Sequence, residues 1–362
     1  MQIEANGIRL EVEDSGGDGP VVLLLMGLGG QLIHWPAAFV QGLVDAGWRV
    51  LRLDNRDAGL SSHFTARGAP PIPWVAAQAW LGRQPRVPYT LADMARDALG
   101  VLDALGVARA HVVGLSMGAM IAQRLALLAP ARVRSLSSIS GCSGARGLMK
   151  PQATVLRVAA GKPRAGDDAA LAQYYLGFLR AISSHRFAPS DAELREVLAR
   201  TALRHSPRGD ATTRQLAAIL ADGRRANELA GIRCPTLVVH GADDPWVPPA
   251  CAHDTARRIP GARLALIPDM AHDLAPVGHP EIVRRVLDVL LPFLQSASTP
   301  SSCPHPPLRT IHRWAAPAPT PTSTTRRCCF PSRARRSASR SASTASRASS
   351  APTGGRPTSC RG

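Results

Sequence analysis

The chain has 362 residues, of which 45% are hydrophobic and 19% charged, a composition that supports a large buried core and excludes wholesale disorder. Of the formal net charge of +17, the eleven arginines of residues 296–362 contribute +11 and no acidic residue there offsets them, which leaves +6 for residues 1–295. The body is therefore too weakly basic to indicate a nucleic-acid-binding domain. No apolar run reaches the ~20 residues that cross a bilayer, and the first fifteen residues lack the basic and apolar regions of a signal peptide. We expect a soluble cytoplasmic protein without a membrane span.

Residues 1–142 alternate between short apolar runs and helical patterns. A hairpin is predicted around Asn6-Gly7, and helical patterns begin at Thr90 and at Ser116. Four runs of strand length are bounded by glycine or polar residues, as buried parallel strands are: Val21–Met26, Arg49–Leu53, His111–Leu115 and Ser135–Ile139. Such alternation predicts the amino-terminal part of an α/β core with a parallel sheet.

Residues 143–230 interrupt the alternation, because they contain no convincing strand. Helical stretches are predicted at about 169–182, 191–202 and 211–222, after the sixth strand of the sheet. The segment is either an additional structural subdomain or a cap over the pocket, and its position favours the cap. Residues 231–295 then return to the core pattern, with strands at Thr236–His240 and Arg263–Ile267 and helices at about 250–259 and 280–294.

Residues 296–362 consist mainly of Ser, Pro, Arg, Ala and Thr with almost no apolar periodicity, so we expect a disordered tail. One interpretation is a basic arm that contacts nucleic acid or an anionic membrane. The other, which we favour, is a frameshifted or read-through product of G+C-rich DNA, because the change in composition is abrupt. Four of the seven cysteines lie in this tail, and Cys142, Cys234 and Cys251 in the body have no metal-ligand spacing.

The segment Gly114–Gly118 (GLSMG) fits the nucleophile elbow, G-x-S-x-G, and lies between an apolar strand and an amphipathic helix. In this motif the serine occupies a sharp turn, where side chains two residues before and after it would collide with the neighbouring backbone. Ser116 is therefore the candidate nucleophile. Ser143, in another glycine-flanked segment, lacks the second glycine at the required position.

A serine hydroxyl needs a base to activate it, and the base needs an orienting acid. In this arrangement the chain order is serine, acid, histidine, and both partners lie on loops after the carboxyl ends of strands. Asp244 and His272 satisfy both conditions, with Asp243 as the rival acid. Asp243 itself reads as a solvated turn or capping residue.

The oxyanion formed during acyl transfer needs two preorganised backbone N–H donors. Met117, directly after the nucleophile, is expected to supply one of them. The other is expected from the glycine-rich loop Gly27–Gly30 after the first parallel strand, with Leu28 as the donor. The simpler interpretation of these glycines is a tight turn. No phosphate-binding glycine motif is present.

With these residues in place, residues 1–295 resemble the α/β-hydrolase superfamily, and are similar to its aclacinomycin methylesterase-like and lipase/esterase-like members. Ser116, Asp244 and His272 match the family's triad. The segment Asp54–Ser61 (DNRDAGLS) resembles the family's D-x-R-G-x-G-x-S loop, with Asp57 in place of the usual glycine. Met26 stands where many members have histidine before the glycines. Within the loop, Asp54 and Arg56 are interpreted as structural.

The resemblance implies a mostly parallel eight-stranded sheet flanked by helices, with a helical cap. It also implies a small or medium apolar ester as substrate, an acyl-enzyme at Ser116, and no metal or cofactor. Three activities on the same triad remain as alternatives, namely those of a haloperoxidase-type perhydrolase, a C–C bond hydrolase and an aminopeptidase. A non-catalytic ligand receptor on the same scaffold is a further alternative. No specific nucleic-acid partner is expected, and the sequence carries no indication of oligomeric state.

Overall fold

In the computed structural model, the described residues are 1–299 without 162, 164–166 and 205–208. Within them, eight strands form one sheet in the order β1-β2-β4-β3-β5-β6-β7-β8. The strands β1 and β2 form the predicted hairpin and pair antiparallel, β2 pairs antiparallel with β4, and all other neighbours are parallel. Their bounds are β1 Gln2–Ala5, β2 Ile8–Asp14, β3 Val21–Leu25, β4 Arg49–Leu53, β5 Ala110–Leu115, β6 Val133–Ile139, β7 Thr236–Gly241 and β8 Arg263–Ile267.

Eleven α-helices accompany the strands in the described part of the chain. They are α1 Ala37–Asp45, α2 Ile72–Trp80, α3 Leu91–Ala104, α4 Met117–Leu128, α5 Ala153–Ala160, α6 Asp168–Ile182, α7 Asp191–Arg204, α8 Gly209–Leu220, α9 Arg225–Glu228, α10 Ala250–Arg258 and α11 Pro280–Ser298. None of these helices is both long enough and apolar enough to cross a membrane.

The core lies on both faces of the sheet, because the central strands are buried along their whole length. Every residue of β3 and of β5 is buried, which explains why both read as uninterrupted apolar runs. Helices α3, α4 and α10 bury their apolar sides on one face of the sheet, and α1 and α11 on the other. The α/β fold with a mostly parallel eight-stranded sheet is therefore confirmed.

Helices α5 to α9 occupy the interval between β6 and β7, where the sequence predicted a helical insertion. Three of them match predicted stretches, α6 and α7 closely and α8 with a start two residues earlier. The sequence patterns do not predict helices α1, α2, α5 and α9. Each is at most nine residues long, and α1 and α2 are preceded by proline rather than by a side chain that caps the helix.

The last helix is longer than its sequence pattern predicts. It continues past residue 294 to Ser298, whose Oγ lies 3.1 Å from Nε2 of buried His111 on β5. The first residues of the segment expected to be a tail are therefore helical and contact the body. The remainder of the predicted tail, from residue 300 onward, lies outside the described residues.

Candidate active site

Ser116 occupies a strained turn between the end of β5 and the start of α4. Its backbone dihedrals are φ 57° and ψ −117°, a region that side chains disfavour. Its N–H donates to the carbonyl of Ile139 on β6 at 2.8 Å, which ties the turn to the sheet. A Cβ on Gly114 would lie 2.2 Å from the carbonyl oxygen of Gly118, and one on Gly118 would lie 1.9 Å from that of Leu25. Both glycines of the motif are therefore sterically required.

His272 lies on the loop between β8 and α11, with its Nε2 3.0 Å from Ser116 Oγ. Two contacts join this loop to the end of α6. The N–H of His272 donates to the carbonyl of Ile182 at 3.0 Å, and the Asp273 carboxylate accepts the N–H of Ser184 at 2.7 Å. Burial raises the pKa of Asp273. The loop that carries the histidine is thus attached to the inserted helices.

Asp244 completes the line of side chains, because its Oδ2 lies 2.7 Å from His272 Nδ1. Its Oδ1 accepts the backbone N–H groups of Trp246 at 2.9 Å and Val247 at 2.8 Å, so the carboxylate is fixed in orientation. The rival Asp243 is exposed, and its backbone N–H donates to the carbonyl of Met270. The geometry therefore pairs His272 with Asp244 and leaves Asp243 in the role of a turn residue.

The three side chains have complementary donors and acceptors. A proton on His272 Nδ1 is donated to Asp244, which leaves Nε2 as an acceptor for the hydroxyl of Ser116. In this tautomer the imidazole can take the serine proton, and the resulting imidazolium faces a buried carboxylate. The arrangement can carry out nucleophilic attack on an acyl carbon.

The glycine-rich loop after β3 lies directly against Ser116. A Cβ on Gly27 would lie 3.1 Å from Ser116 Cβ, and the loop turns through a hydrogen bond of 3.1 Å from Gly30 N–H to the Gly27 carbonyl. Among the described residues, the backbone N–H groups of Leu28 and Met117 have no hydrogen-bond acceptor. Two unengaged donors are therefore available where the sequence predicts an oxyanion hole.

His240, at the end of β7, supports the loop of Asp244 and was not singled out from the sequence. Its Nε2 lies 2.7 Å from the carbonyl of Val247 and 3.4 Å from Asp244 Oδ2. Burial lowers the pKa of His240, so the imidazole is neutral and donates its Nε2 proton to Val247. No sequence signal separates this histidine from an ordinary strand residue.

The loop Asp54–Ser61 holds neighbouring backbone in place. The carboxylate of Asp54 accepts the N–H of Leu32 at 2.6 Å and that of Leu60 at 2.9 Å, although burial raises its pKa. Arg56 forms a bidentate pair with Asp97 on α3, with both distances 2.6 Å. These bonds support the structural interpretation of Asp54 and Arg56.

The contacts of Asp57 explain why an acidic residue can stand where the family usually has glycine. Its φ is 64°, and its carboxylate forms a bidentate pair with Arg214 on α8, with both distances 2.8 Å. Tyr89 also donates its hydroxyl to Asp57 at 2.7 Å. Burial acts to raise the pKa of Asp57, but the hydrogen bonds from Arg214 and Tyr89 outweigh it and hold the pKa below its usual range. The residue therefore joins the core to the inserted helices.

Aromatic side chains of α6 reach the loop of Asp244. The ring of Phe178 packs edge-on against Trp246 with centroids 5.3 Å apart, and Tyr174 stacks on Phe178. By contrast Trp74 and Trp80 on α2 are 62% and 76% exposed. In the part of the chain that the structure describes, no group of three or more His, Cys, Asp or Glu side chains could hold a metal ion.

Comparisons with known proteins agree with this fold. The model of the alpha/beta hydrolase fold family matches residues 20–278. The chain is 31% identical to rhodomycin D methylesterase DauP of Streptomyces sp. (strain C5) over 72% of the chain and 87% of that protein. It is 30% identical to "Putative carbamate hydrolase RutD" of Variovorax paradoxus (strain S110), over 78% and 94% respectively.

A solved structure shows the same fold. The enol-lactonase from Burkholderia xenovorans LB400 matches 82% of this chain and 100% of its own, with a TM-score of 0.58 and 24% identity. The family match covers more than half of the chain, and both relatives are at least 30% identical to the chain over more than two thirds of its length. The chain therefore belongs to the alpha/beta hydrolase family.

Proposed function

We propose that this protein is a serine hydrolase of carboxylic esters, with Ser116 as nucleophile, His272 as base and Asp244 as orienting acid. The observation that carries the proposal is the continuous contact from Ser116 Oγ to His272 Nε2 at 3.0 Å and from His272 Nδ1 to Asp244 Oδ2 at 2.7 Å. The unengaged N–H groups of Leu28 and Met117 support it, because acyl transfer needs such donors.

In the first half of the reaction Ser116 Oγ attacks the ester carbonyl carbon while its proton passes to His272 Nε2. The carbonyl oxygen becomes an oxyanion and accepts the N–H groups of Leu28 and Met117. When the tetrahedral intermediate collapses, the imidazolium donates its proton to the departing alcohol. The acyl group then remains on Ser116 as an ester.

In the second half a water molecule replaces the alcohol. His272 takes a proton from this water, which attacks the acyl carbon and again places an oxyanion at Leu28 and Met117. Collapse releases the carboxylic acid and returns the proton to Ser116. Asp244 orients the imidazole in both halves, because two backbone N–H groups hold its carboxylate against His272 Nδ1.

The substrate class follows from the surroundings of the site and from the relatives. The aromatic side chains of α6 beside the Asp244 loop favour an apolar ester of small or medium size. One relative is a methylesterase and another carries the name of a carbamate hydrolase, so methyl esters and carbamates are the first compounds to compare.

The test is covalent labelling with a fluorophosphonate, followed by kinetics on p-nitrophenyl esters, methyl esters, carbamates and aminoacyl anilides. We expect stoichiometric labelling of the parent protein and none of Ser116→Ala. Ser143→Ala is the matched control, because Ser143 is buried and donates to Asp254. It should label as the parent does. Labelling of Ser116→Ala, or a parent protein that hydrolyses none of the panel, would refute the proposal.

A further inference from the structure

Helix α8 of the inserted segment reaches the loop that carries the Leu28 donor, through a single buried side chain. Gln215 is fully buried, and its Oε1 accepts the N–H of Gly29 at 2.7 Å. Its Nε2 donates to the carbonyl of Arg56 at 2.8 Å. The side chain therefore links two loops of the core, one of which directly follows β3.

The contact acts on the peptide next to the donor. Gly29 has φ 68°, and its N–H belongs to the peptide unit that joins it to Leu28. A hydrogen bond that fixes the direction of this N–H therefore restricts the turn in which Leu28 lies. Thr212, one helical turn before Gln215, lies beside the same residue, since a Cβ on Gly29 would be 3.5 Å from its Oγ1. Helix α8 thus packs on this turn and forms a hydrogen bond to it.

Among the described residues, the side chain that forms a hydrogen bond to the backbone of Gly27–Gly30 is that of Gln215. Met26 stands before the glycines and has no side-chain donor or acceptor comparable to a histidine, and it packs in the apolar core. Asn55 donates to the carbonyl of Met26 at 2.9 Å, which fixes the start of the loop but not the turn itself. Within the turn, the N–H of Gly29 donates to Gln215 Oε1.

We propose that Gln215 is a positioning residue for the oxyanion hole, so that helix α8 of the inserted segment contributes to the catalytic machinery. This inference rests on the proposed function, because it assigns Leu28 N–H to the oxyanion. A donor must already point at the developing charge to stabilise it. A glycine-rich turn without restraint would not hold the Leu28 N–H in that direction.

The test compares Gln215→Met with the parent on one ester that the parent hydrolyses. Loss of a whole oxyanion donor costs roughly 10²–10³ in kcat, so loss of its support should lower kcat by about 10- to 50-fold. KM should change by less than about twofold, because the interaction strengthens only in the transition state. Affinity for a trifluoromethyl ketone, which places an oxyanion in the same hole, should weaken by a factor similar to that for kcat/KM.

Gln123→Met is the matched control. Gln123 is also a fully buried glutamine that links core and insertion, since it accepts from Arg225 Nε at 2.9 Å, but its amide donates to Ser138 Oγ at 3.1 Å rather than bonding to the Gly27–Gly30 loop. Its kcat should stay within about twofold of the parent, whatever its stability. If both variants lose kcat equally, or Gln215→Met keeps the parent's kcat, the inference is wrong.

A second variant covers failure of Gln215→Met to fold. Gln215→Glu retains oxygens that can accept the Gly29 N–H and loses the donor to Arg56. If both variants fold, Gln215→Glu should be more active than Gln215→Met. If Gln215→Met does not fold, Gln215→Glu should still be soluble and active. A folded but inactive Gln215→Glu would contradict the inference. Failure of the proposed function can be told apart from failure of this inference. If the proposed function is wrong, the parent protein itself is not labelled at Ser116, whatever the Gln215 variants do.

Discussion

Removal of Arg214 should destabilise the protein severely, because it leaves the buried carboxylate of Asp57 without its counter-charge. The side chains of Arg214 and Asp57 are 1% and 0% exposed, and two hydrogen bonds of 2.8 Å join them. Breaking a buried pair on one side costs about 3–5 kcal/mol. Tyr89 and the N–H of Phe64 still donate to Asp57 in the variant. We therefore expect Arg214→Met to lower the free energy of unfolding by an amount at the lower end of this range, about 3 kcal/mol.

The double variant Asp57→Asn/Arg214→Met separates the cost of an unpaired charge from the value of the pair. It removes both charges, keeps an amide oxygen that can accept from Tyr89 and from the Phe64 N–H, and places at φ 64° a residue that tolerates the left-handed region. Replacing both members of a buried pair is often neutral, so we expect the double variant within about 1.5 kcal/mol of the parent. Arg96→Met is the control, because Arg96 is 48% exposed and its pair with Asp93 should contribute at most about 0.5 kcal/mol.

The assay is reversible urea unfolding followed by tryptophan fluorescence, repeated between pH 7 and pH 4. The pKa of Asp57 is depressed in the folded parent, so its stabilising contribution is present above the unfolded pKa of about 3.9 and is lost as pH falls below it. Without Arg214 that pKa rises, so the deficit of Arg214→Met should shrink towards pH 4. A deficit below about 1 kcal/mol at pH 7, or a double variant less stable than Arg214→Met, would refute the reasoning.

Three further predictions concern catalysis and the end of the chain. Ser116→Ala should lower kcat on p-nitrophenyl acetate by on the order of 10⁶ with little change in melting temperature, and activity near the parent level would exclude Ser116 as nucleophile. Asp244→Asn should cost roughly 10⁴ in kcat and Asp243→Asn little, so a larger loss at Asp243 would reverse the assignment of the acid. A chain that ends after Thr299, which retains the Ser298 contact with His111, should keep its kcat/KM for small esters and bind less strongly to a cation exchanger. A loss of activity above about threefold would show that residues beyond Thr299 act on the body.

The fold, and the three residues of the proposed triad that the structure brings together, could be identified from the sequence because they depend on local patterns. Buried parallel strands are apolar along their length, as β5 is, and the elbow requires two glycines that any side chain would disrupt. Chain order and loop position then selected Asp244 and His272 from many acidic residues and histidines. On the sequence alone, only the family resemblance favours Asp244 over its neighbour Asp243. The structure shows which of the two carboxylates faces the imidazole of His272.

The contacts between the core and the inserted helices could not be predicted in the same way. Gln215 and Gly29 are 186 residues apart, and Arg214 and Asp57 are 157 apart, so no local pattern relates them. A glutamine or arginine on a helix normally indicates a solvated face, whereas here both side chains are buried by tertiary packing. Helices α1 and α2 were missed for another reason, since they are short and begin after proline without a polar cap.

Because the N–H of His272 donates to the carbonyl of Ile182, the proposed nucleophile Ser116 and the proposed base His272 belong to regions of different local stability. Ser116 is attached to central strands that are buried throughout, and such strands exchange their amide hydrogens only on global unfolding. The His272 loop depends in part on the end of α6, whose residues are mostly half-buried or exposed and open at lower free energy. We therefore expect mild heat or denaturant to separate Ser116 from His272 while the sheet is still intact. Loss of activity should then precede unfolding, and residual activity should report the docking of the inserted helices rather than the integrity of the core.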